Sequence, residues 1–212
     1  MTERNERMQE EMVRYQIERR GISDERVLEA MRTVPRHRFI PDAEMDDAYG
    51  DFPLPIGHSQ TISQPFIVAY MCELARFRKS DRVLEVGTGS GYHASVIARL
   101  ADSVYSVEIV PELAVHAANT VRELNYTNIS IRHGDGFYGW AEASPFDVIV
   151  VTAATDAIPP PLVSQLAEGG RLIIPLGPLS STQYLVLAEK RAGEIVVREM
   201  LPVRFVPLTG KH

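Results

Sequence analysis

Two hydrophobic rhythms divide this chain. From about Glu6 to Arg20, Met8, Met12, Tyr15 and Ile17 recur at helical spacing among charges, which predicts an amphipathic helix that Gly21 stops. A second helix is predicted from Ser23, with Val27, Leu28, Met31 and Val34 on its apolar face and Pro35 at its end. Arg26 stands where a capping box would put an acid, so that box is incomplete. Residues 41–65 are rich in Pro, Gly, Asp and Ser and read as a long loop with short extended pieces, anchored by Ile56 and Ile62. Loops of that length are usually functional or disordered. A helix is expected from Pro65 to about Phe77.

Beyond that point strands alternate with helices. Strands are predicted at Arg82–Val86, Ser103–Ile109, Ile129–His133, Phe146–Thr152 and Arg171–Pro175. Helices are predicted at Tyr92–Leu100, Glu112–Asn125 and Pro161–Ala167, the last stopped by Gly169-Gly170. The unbroken run Val148-Ile149-Val150-Val151 fits a strand buried on both faces. Gln183–Arg191 and Glu194–Val206 flank Ala192-Gly193 as an antiparallel hairpin. The expected fold class is α/β: a doubly wound, mostly parallel sheet with helices on both faces, an N-terminal helical extension and a C-terminal hairpin. Residues 1–212 are read as one domain: 1–78 helices and loop, 79–180 α/β core, 181–212 hairpin and tail.

Composition narrows the class. The chain has 212 residues, 45% apolar and 24% charged, which suits one globular domain. A net charge of -6 argues against a nucleic-acid partner, which needs clustered Lys and Arg. The N-terminal residues lack a signal-peptide core and no apolar run is long enough to cross a bilayer, so no membrane partner is expected. One cysteine, Cys72, excludes an internal disulfide; a reducing cytoplasm is the expected compartment, and Cys72 reads as a small buried hydrophobe. Oligomeric state is not encoded legibly.

The chemistry is concentrated in Val83-Leu84-Glu85-Val86-Gly87-Thr88-Gly89-Ser90-Gly91, a strand that runs through alternating glycines into a helix. Glycines permit a turn tight enough for a nucleotide-type ligand to lie against backbone N–H groups. The dinucleotide fingerprint needs a small third residue. Tyr92 occupies that position here and the glycine comes one place early, at Gly91. No Gly-Lys-Ser/Thr follows, so the phosphate-cradling pattern fails as well. Glu85 places an acid beside the turn, which suits a cationic, phosphate-free cofactor such as S-adenosylmethionine. Glu108, about 20 residues on, is placed to accept from ribose hydroxyls. Asp135, in His133-Gly134-Asp135-Gly136, can accept from an adenine amino group. Each acid has a plainer reading: Glu85 a solvated strand end, Glu108 a helix-entry charge, Asp135 an Asx turn. Their shared position on one rim of the sheet favours the cofactor reading.

These motifs, together with Gly21-Ile22-Ser23-Asp24-Glu25-Arg26-Val27-Leu28, Leu54-Pro55-Ile56-Gly57-His58-Ser59-Gln60-Thr61-Ile62-Ser63-Gln64-Pro65, Gly169-Gly170-Arg171 and Arg204-Phe205-Val206-Pro207-Leu208, resemble the protein-L-isoaspartate O-methyltransferases over nearly the whole chain. Thr61-Ile62-Ser63-Gln64-Pro65 makes the resemblance specific. It implies a Rossmann-like methyltransferase sheet and methyl transfer from S-adenosylmethionine, leaving S-adenosylhomocysteine. The acceptor would be the free α-carboxylate of L-isoaspartyl residues in damaged proteins and peptides, whose ester then closes to a succinimide. It implies Ser63 as active-site serine, and Thr61, Ile62, Ser63, Glu85, Gly87, Thr88, Gly89, Ser90, Gly91, Glu108, Ile109, Asp135, Gly136 and Thr209 as the cofactor's surroundings. No metal is expected. Two departures stand out: Ser59 replaces a usual glycine, and Thr155-Asp156 adds a charge expected near the substrate rim.

The chemistry agrees with a site lacking a His, Cys or Lys constellation. A carboxylate with a pKa near 4 is already ionised at neutral pH and needs no strong base. Ser63 could orient it by donating to one oxygen, or could simply cap the helix entered through Pro65. His58 reads as a loop-pinning residue. Other classes remain open from the residues alone: a nicotinamide oxidoreductase, a non-catalytic S-adenosylmethionine-binding module, or a methyltransferase for another acid.

Overall fold

The computed structural model describes residues 3–41, 46–178 and 180–211. Helix α1 (Glu3–Glu11) continues through a wider π turn (Met12–Ile17) and a 3-10 turn (Glu18–Arg20) to Gly21, whose φ is +101°. The expected helix is therefore present but not uniform. Met12, Val13 and Ile17 are fully buried, whereas Tyr15 is exposed, with the Arg14 and Arg19 guanidinium groups near its ring. Helix α2 (Glu25–Thr33) starts two residues later than expected. Its cap is Asp24, whose carboxylate accepts from Arg26 N at 2.9 Å, so an Asp cap replaces the incomplete Ser box. The Ser23 backbone N–H instead donates to Glu73 at 2.6 Å.

The long loop carries a small hairpin, β1 (Leu54–Gly57) with β2 (Gln60–Ile62), and leads into α3 (Pro65–Ala75). The alternating core then follows: β3 (Arg82–Val86), α4 (Tyr92–Leu100), β4 (Ser103–Glu108), α5 (Pro111–Glu123), β5 (Ile129–His133) and β6 (Phe146–Val151). Helix α6 (Pro160–Gln165), β7 (Leu166–Leu176), β8 (Gln183–Arg191) and β9 (Glu194–Val203) complete it. The expected stop at Gly169-Gly170 is a correction. The strand begins at Leu166, which pairs with Phe146, and the next pair is Val148 with Arg171. The glycines absorb the extra residues as a bulge inside β7, with Gly169 at φ +74°. The β8–β9 turn places Ala192 and Gly193 at φ +51° and +82°, as a two-residue hairpin requires.

The seven strands lie in the order β5-β4-β3-β6-β7-β8-β9, parallel from β5 to β7 and antiparallel at β8 and β9. Chain order reverses between β3 and β6, so the ligand crevice is expected at the carboxyl ends of these central strands. Strand alternation sorts the core into two layers. Val83, Val148, Val150 and Ile173 pack with α2, α3 and α4; Leu84, Val86, Ile149, Val151 and Ile174 pack on the other face. A buried Arg171 fixes α3 to the sheet: its Nη1 donates to the carbonyls of Ala75 and Arg76, and its Nη2 to Asp81 at 2.8 Å. This holds the helix whose entry carries Ser63.

The β1–β2 turn runs through Gly57, His58 and Ser59 at φ +86°, +53° and +57°. A side chain in this left-handed region costs about 1–2 kcal/mol per residue, which accounts for a glycine being the expected residue at Ser59. Ser59→Gly is expected to stabilise the fold by about 0.5–1 kcal/mol, part of the relief being offset by unfolded-state entropy. Urea unfolding reads this directly, and a loss of stability would contradict it.

Candidate active site

Two clefts meet where the glycine turn faces the loop after β2. The first is lined by Gln60, Thr61, Val86, Gly87, Gly89, Val107, Glu108, Ile109, Gly136, Thr152, Ala153 and the tail segment Val206–Thr209. The second, of about 630 Å³, is lined by Pro53, Thr61, Ser63, Gln64, Ile67, Thr152 and Pro202–Val206. A smaller recess under the glycine turn is bounded by Thr61, Ile62, Ser63, Thr88, Ser90, Tyr92, His93 and Thr152. Thr61 and Thr152 border all three, at the junction.

The turn after β3 is built by Gly87, Gly89 and Gly91 at φ +94°, +53° and +87°. A Cβ on Gly87 would collide with Thr152 Oγ1, and one on Gly91 would crowd Ala117. The backbone N–H groups of this turn are largely consumed within the protein, which corrects the expectation that they face a ligand. Gly87 N donates to Val107 O at 2.9 Å, Gly91 N to Thr88 O at 2.9 Å, and Gly89 N to Glu108 Oε2 at 2.7 Å. Among the described residues no Lys or Arg lines the first cleft, and Glu108 is the only charged one there. The cleft is therefore unsuited to a pyrophosphate and suited to a nucleoside with a cationic end.

Glu108 is nearly buried. Its Oε1 accepts from Val110 N at 2.9 Å, and each carboxylate oxygen retains a second lone pair for a hydroxyl. Ile109, Gly136 and Thr209 also line this cleft, as expected. Asp135, Gly91 and Glu85 do not line it. Asp135 Oδ1 accepts from Phe137 N at 3.0 Å, the Asx-type arrangement, and its Oδ2 accepts from Lys211 N at 3.1 Å, so it ties the C-terminal tail to β5. Gly91 acts through helix packing. Thr155 and Asp156 line neither main cleft; Thr155 instead hydrogen-bonds to the end of β7, through its N–H to Pro175 O at 3.2 Å.

Glu85 departs most from its sequence reading. Alternation along β3 turns it, like Val83, toward the helix-covered face, where it is fully buried. Its Oε2 accepts from Ser106 Oγ at 2.5 Å, and Ser106 in turn contacts Thr88 Oγ1 at 2.6 Å. Oε1 has no hydrogen-bond partner among the described residues and lies 3.9 Å from His93 Nδ1. Burial pushes the carboxyl up to about 8, against the pull of the Ser106 hydroxyl and with the Glu108 charge adding to the rise. Burial drives His93 down to about 4. Near pH 7 both are mostly neutral, so this contact is not an ion pair, and Glu85 supplies no standing charge to the cleft. Cys72 lies beside His93, 3.5 Å from its Nε2, and burial pushes its thiol up, as befits an unreactive core residue.

Ser63 is half-buried and borders both the second cleft and the recess. The capping reading fails. The α3 cap position belongs to Gln64, without a side-chain bond to the helix, and Gln64 Nε2 donates to Asp51 instead. The Ser63 hydroxyl has no hydrogen-bond partner among the described residues. His58 sits at the tip of the β1–β2 turn.

Sequence reasoning named Thr209 in the tail but missed Thr152 and the part that Val206, Pro207 and Leu208 take in walling the cleft. Thr152 Oγ1 donates toward Gly87 O at 2.6 Å and Val86 O at 3.1 Å, pinning the turn. Its place just beyond β6, at a switch point, was the available signal. The tail reaches the cleft by pairing with the segment after β6: Ala154 N donates to Val206 O at 2.8 Å and Leu208 N to Ala154 O at 2.7 Å. No local pattern announces a pairing so distant in sequence. Among the described residues there is no group of three or more His, Cys, Asp or Glu that could hold a metal, and no helix is long and apolar enough to cross a membrane.

Comparison with known proteins adds to this geometry. The profile of the family described as Protein-L-isoaspartate(D-aspartate) O-methyltransferase (PCMT) matches residues 6–212. A protein-L-isoaspartate O-methyltransferase of Opitutus terrae is 57% identical over 205 residues, covering 97% of this chain and 87% of its own. That of Gloeobacter violaceus is 54% identical over 198 residues, covering 93% and 97%. A solved protein-L-isoaspartate O-methyltransferase superposes with a TM-score of 0.87 at 33% identity, covering 95% of this chain and 66% of that longer one. A Plasmodium falciparum structure of the same description, in complex with S-adenosyl-L-homocysteine, superposes with a TM-score of 0.83 at 28% identity, covering 95% and 98%.

A carboxyl whose folded pKa lies above its unfolded value holds its proton more tightly when folded. For Glu85 the resulting stabilisation is whole below about pH 4.5 and is lost as pH rises toward about 8. Glu85→Gln, which resembles the protonated form, is expected to unfold like the parent at pH 4.5 and to be the more stable protein at pH 9. Identical pH slopes in thermal unfolding would contradict the assignment.

Proposed function

The chain belongs to the protein-L-isoaspartate(D-aspartate) O-methyltransferase family, and from that premise we propose how its two clefts divide S-adenosylmethionine-dependent methylation of isoaspartyl residues. The first cleft holds the cofactor and the second the damaged peptide. When bound, S-adenosylmethionine supplies an electrophilic methyl group on a sulfonium. Glu108 accepts the ribose hydroxyls, Ile109 and Gly136 bound the base, and Thr209 closes the cleft from the tail. Gly87, Gly89 and Thr152 shape the junction. Thr88 acts from behind the turn, through Ser106, and Asp135 by fixing the tail.

The observation that carries this reading is the Ser63 hydroxyl, unpartnered among the described residues, in the second cleft beside Thr61, which borders both clefts. The substrate's α-carboxylate is ionised at neutral pH and is its own nucleophile. Ser63 donates to one oxygen and leaves the other directed toward the junction. A cation at this position would bind the carboxylate more strongly but weaken it as a nucleophile. Positioning of this kind can lower a barrier by roughly 7–11 kcal/mol. No residue needs to take up or release a proton.

The clefts draw on residues 53–67, on the α/β core and on the tail, which supports reading residues 1–212 as one catalytic unit. The lone buried cysteine and the net charge of -6 support a cytoplasmic protein whose partners are peptides rather than nucleic acid or membrane.

Ser63→Ala is expected to leave S-adenosylmethionine affinity within about twofold and to lower kcat on an isoaspartyl peptide by at least roughly tenfold, the equivalent of one lost hydrogen bond to a charged group. Unchanged turnover would remove Ser63 from the mechanism. Glu108→Ala is expected to show the opposite split, weakening cofactor binding in calorimetry. Parental affinity there would show that the first cleft is not the cofactor site.

A further inference from the structure

Val203 and Phe205, which wall the second cleft, also wall a polar groove of about 590 Å³ lined by Ser180, Ser181, Thr182 and Gln183. Arg204 borders both spaces. Among the described residues it is the only charged one lining either space, and its exposed guanidinium has no ion pair or hydrogen bond there. Arg20, close to this wall through Asp51 and Gln64, is engaged by contrast. Arg20 is paired with Asp51 at 3.0 Å and stacks on Phe66, and Asp51 also accepts from Gln64. In a chain of net charge -6, an unpaired cation between a peptide cleft and this groove is a directional electrostatic feature.

We propose that Arg204 is a specificity-determining residue that reads an acidic side chain flanking the isoaspartate, with the groove at 180–183 carrying the peptide onward. This rests on the assignment of the second cleft to the peptide. An isoaspartyl residue has a single free carboxylate, the one that must remain nucleophilic at Ser63. A guanidinium is therefore better used on a neighbouring acid, where it can form a fork-like pair without quenching the reaction. Because the site is solvated, the expected gain is modest and falls with salt.

The test uses the full-length protein, saturating S-adenosylmethionine, and isoaspartyl peptides carrying one Glu, one Lys or only neutral residues at positions one or two residues to either side. For at least one position the parent enzyme is expected to favour Glu over Lys by about three- to fivefold in kcat/KM, the range of an exposed ion pair, with the preference shrinking in high salt. Arg204→Gln is expected to bring that ratio to about one, and Arg204→Glu to invert it, each measured against the neutral peptide in the same variant. Equal use of Glu and Lys peptides at every position, or a preference that survives in Arg204→Gln, overturns the proposal. Failure of the parent to methylate even the neutral isoaspartyl peptide would instead remove the peptide-cleft assignment, and this inference with it.

Discussion

The Glu108 carboxylate is the joint on which the site depends. One oxygen receives the Gly89 N–H at 2.7 Å and the other the Val110 N–H at 2.9 Å, so one side chain fixes both the turn after β3 and the exit from β4. The turn needs left-handed backbone at three alternating positions, and only glycine adopts it without strain. Thr152 completes the clamp from β6 by holding the Gly87 carbonyl. Three adjacent strands thus lock the same few atoms, and the first cleft is what remains above them. The lone pairs left on this nearly buried carboxylate suit hydroxyl donors better than a phosphate.

The division into two clefts follows from topology. The crevice at the β3–β6 reversal is a common property of doubly wound sheets. The second cleft does not come from the sheet alone: its walls include the loop after β2 on one side and the segment after β9 on the other. Both are elements outside the alternating core. Both face Thr152, beyond β6, across the cleft, and their position is enforced at a distance by Arg171 under α3 and by the pairing of Ala154 with the tail.

Much of the core was legible because buried parallel strands and glycine punctuation are local signals. The strands Arg82–Val86 and Ile129–His133 and the helix Tyr92–Leu100 have the bounds their periodicity predicts. The misreadings arise where tertiary demands overrule local pattern. Leu166 was assigned to a helix but is claimed by pairing with Phe146, and the two glycines that look like a stop become a bulge. Asp24 caps in place of Ser23 because Ser23 is drawn to Glu73. In the site, Ser63, Glu108 and the glycines were visible as motif. Thr152 was not, and of the tail only Thr209 was, because the roles of Thr152 and of Val206, Pro207 and Leu208 come from contacts across the sheet. Glu85 was visible but misassigned: reading it by position in the motif put it beside the ligand, whereas the two-residue period of its own strand puts it beneath α4. Its role is to support the turn through Ser106 and Thr88.

The central claim is that this site transfers a methyl group to the carboxylate that isoaspartate exposes and normal aspartate does not. The most direct measurement is labelled-methyl transfer from S-adenosylmethionine to a pair of peptides identical except for an isoaspartyl or an aspartyl linkage at one position. Base-labile label is expected on the isoaspartyl peptide and only background on its partner. Equal labelling of the two, or none on either while the protein still binds S-adenosylmethionine, would contradict the account.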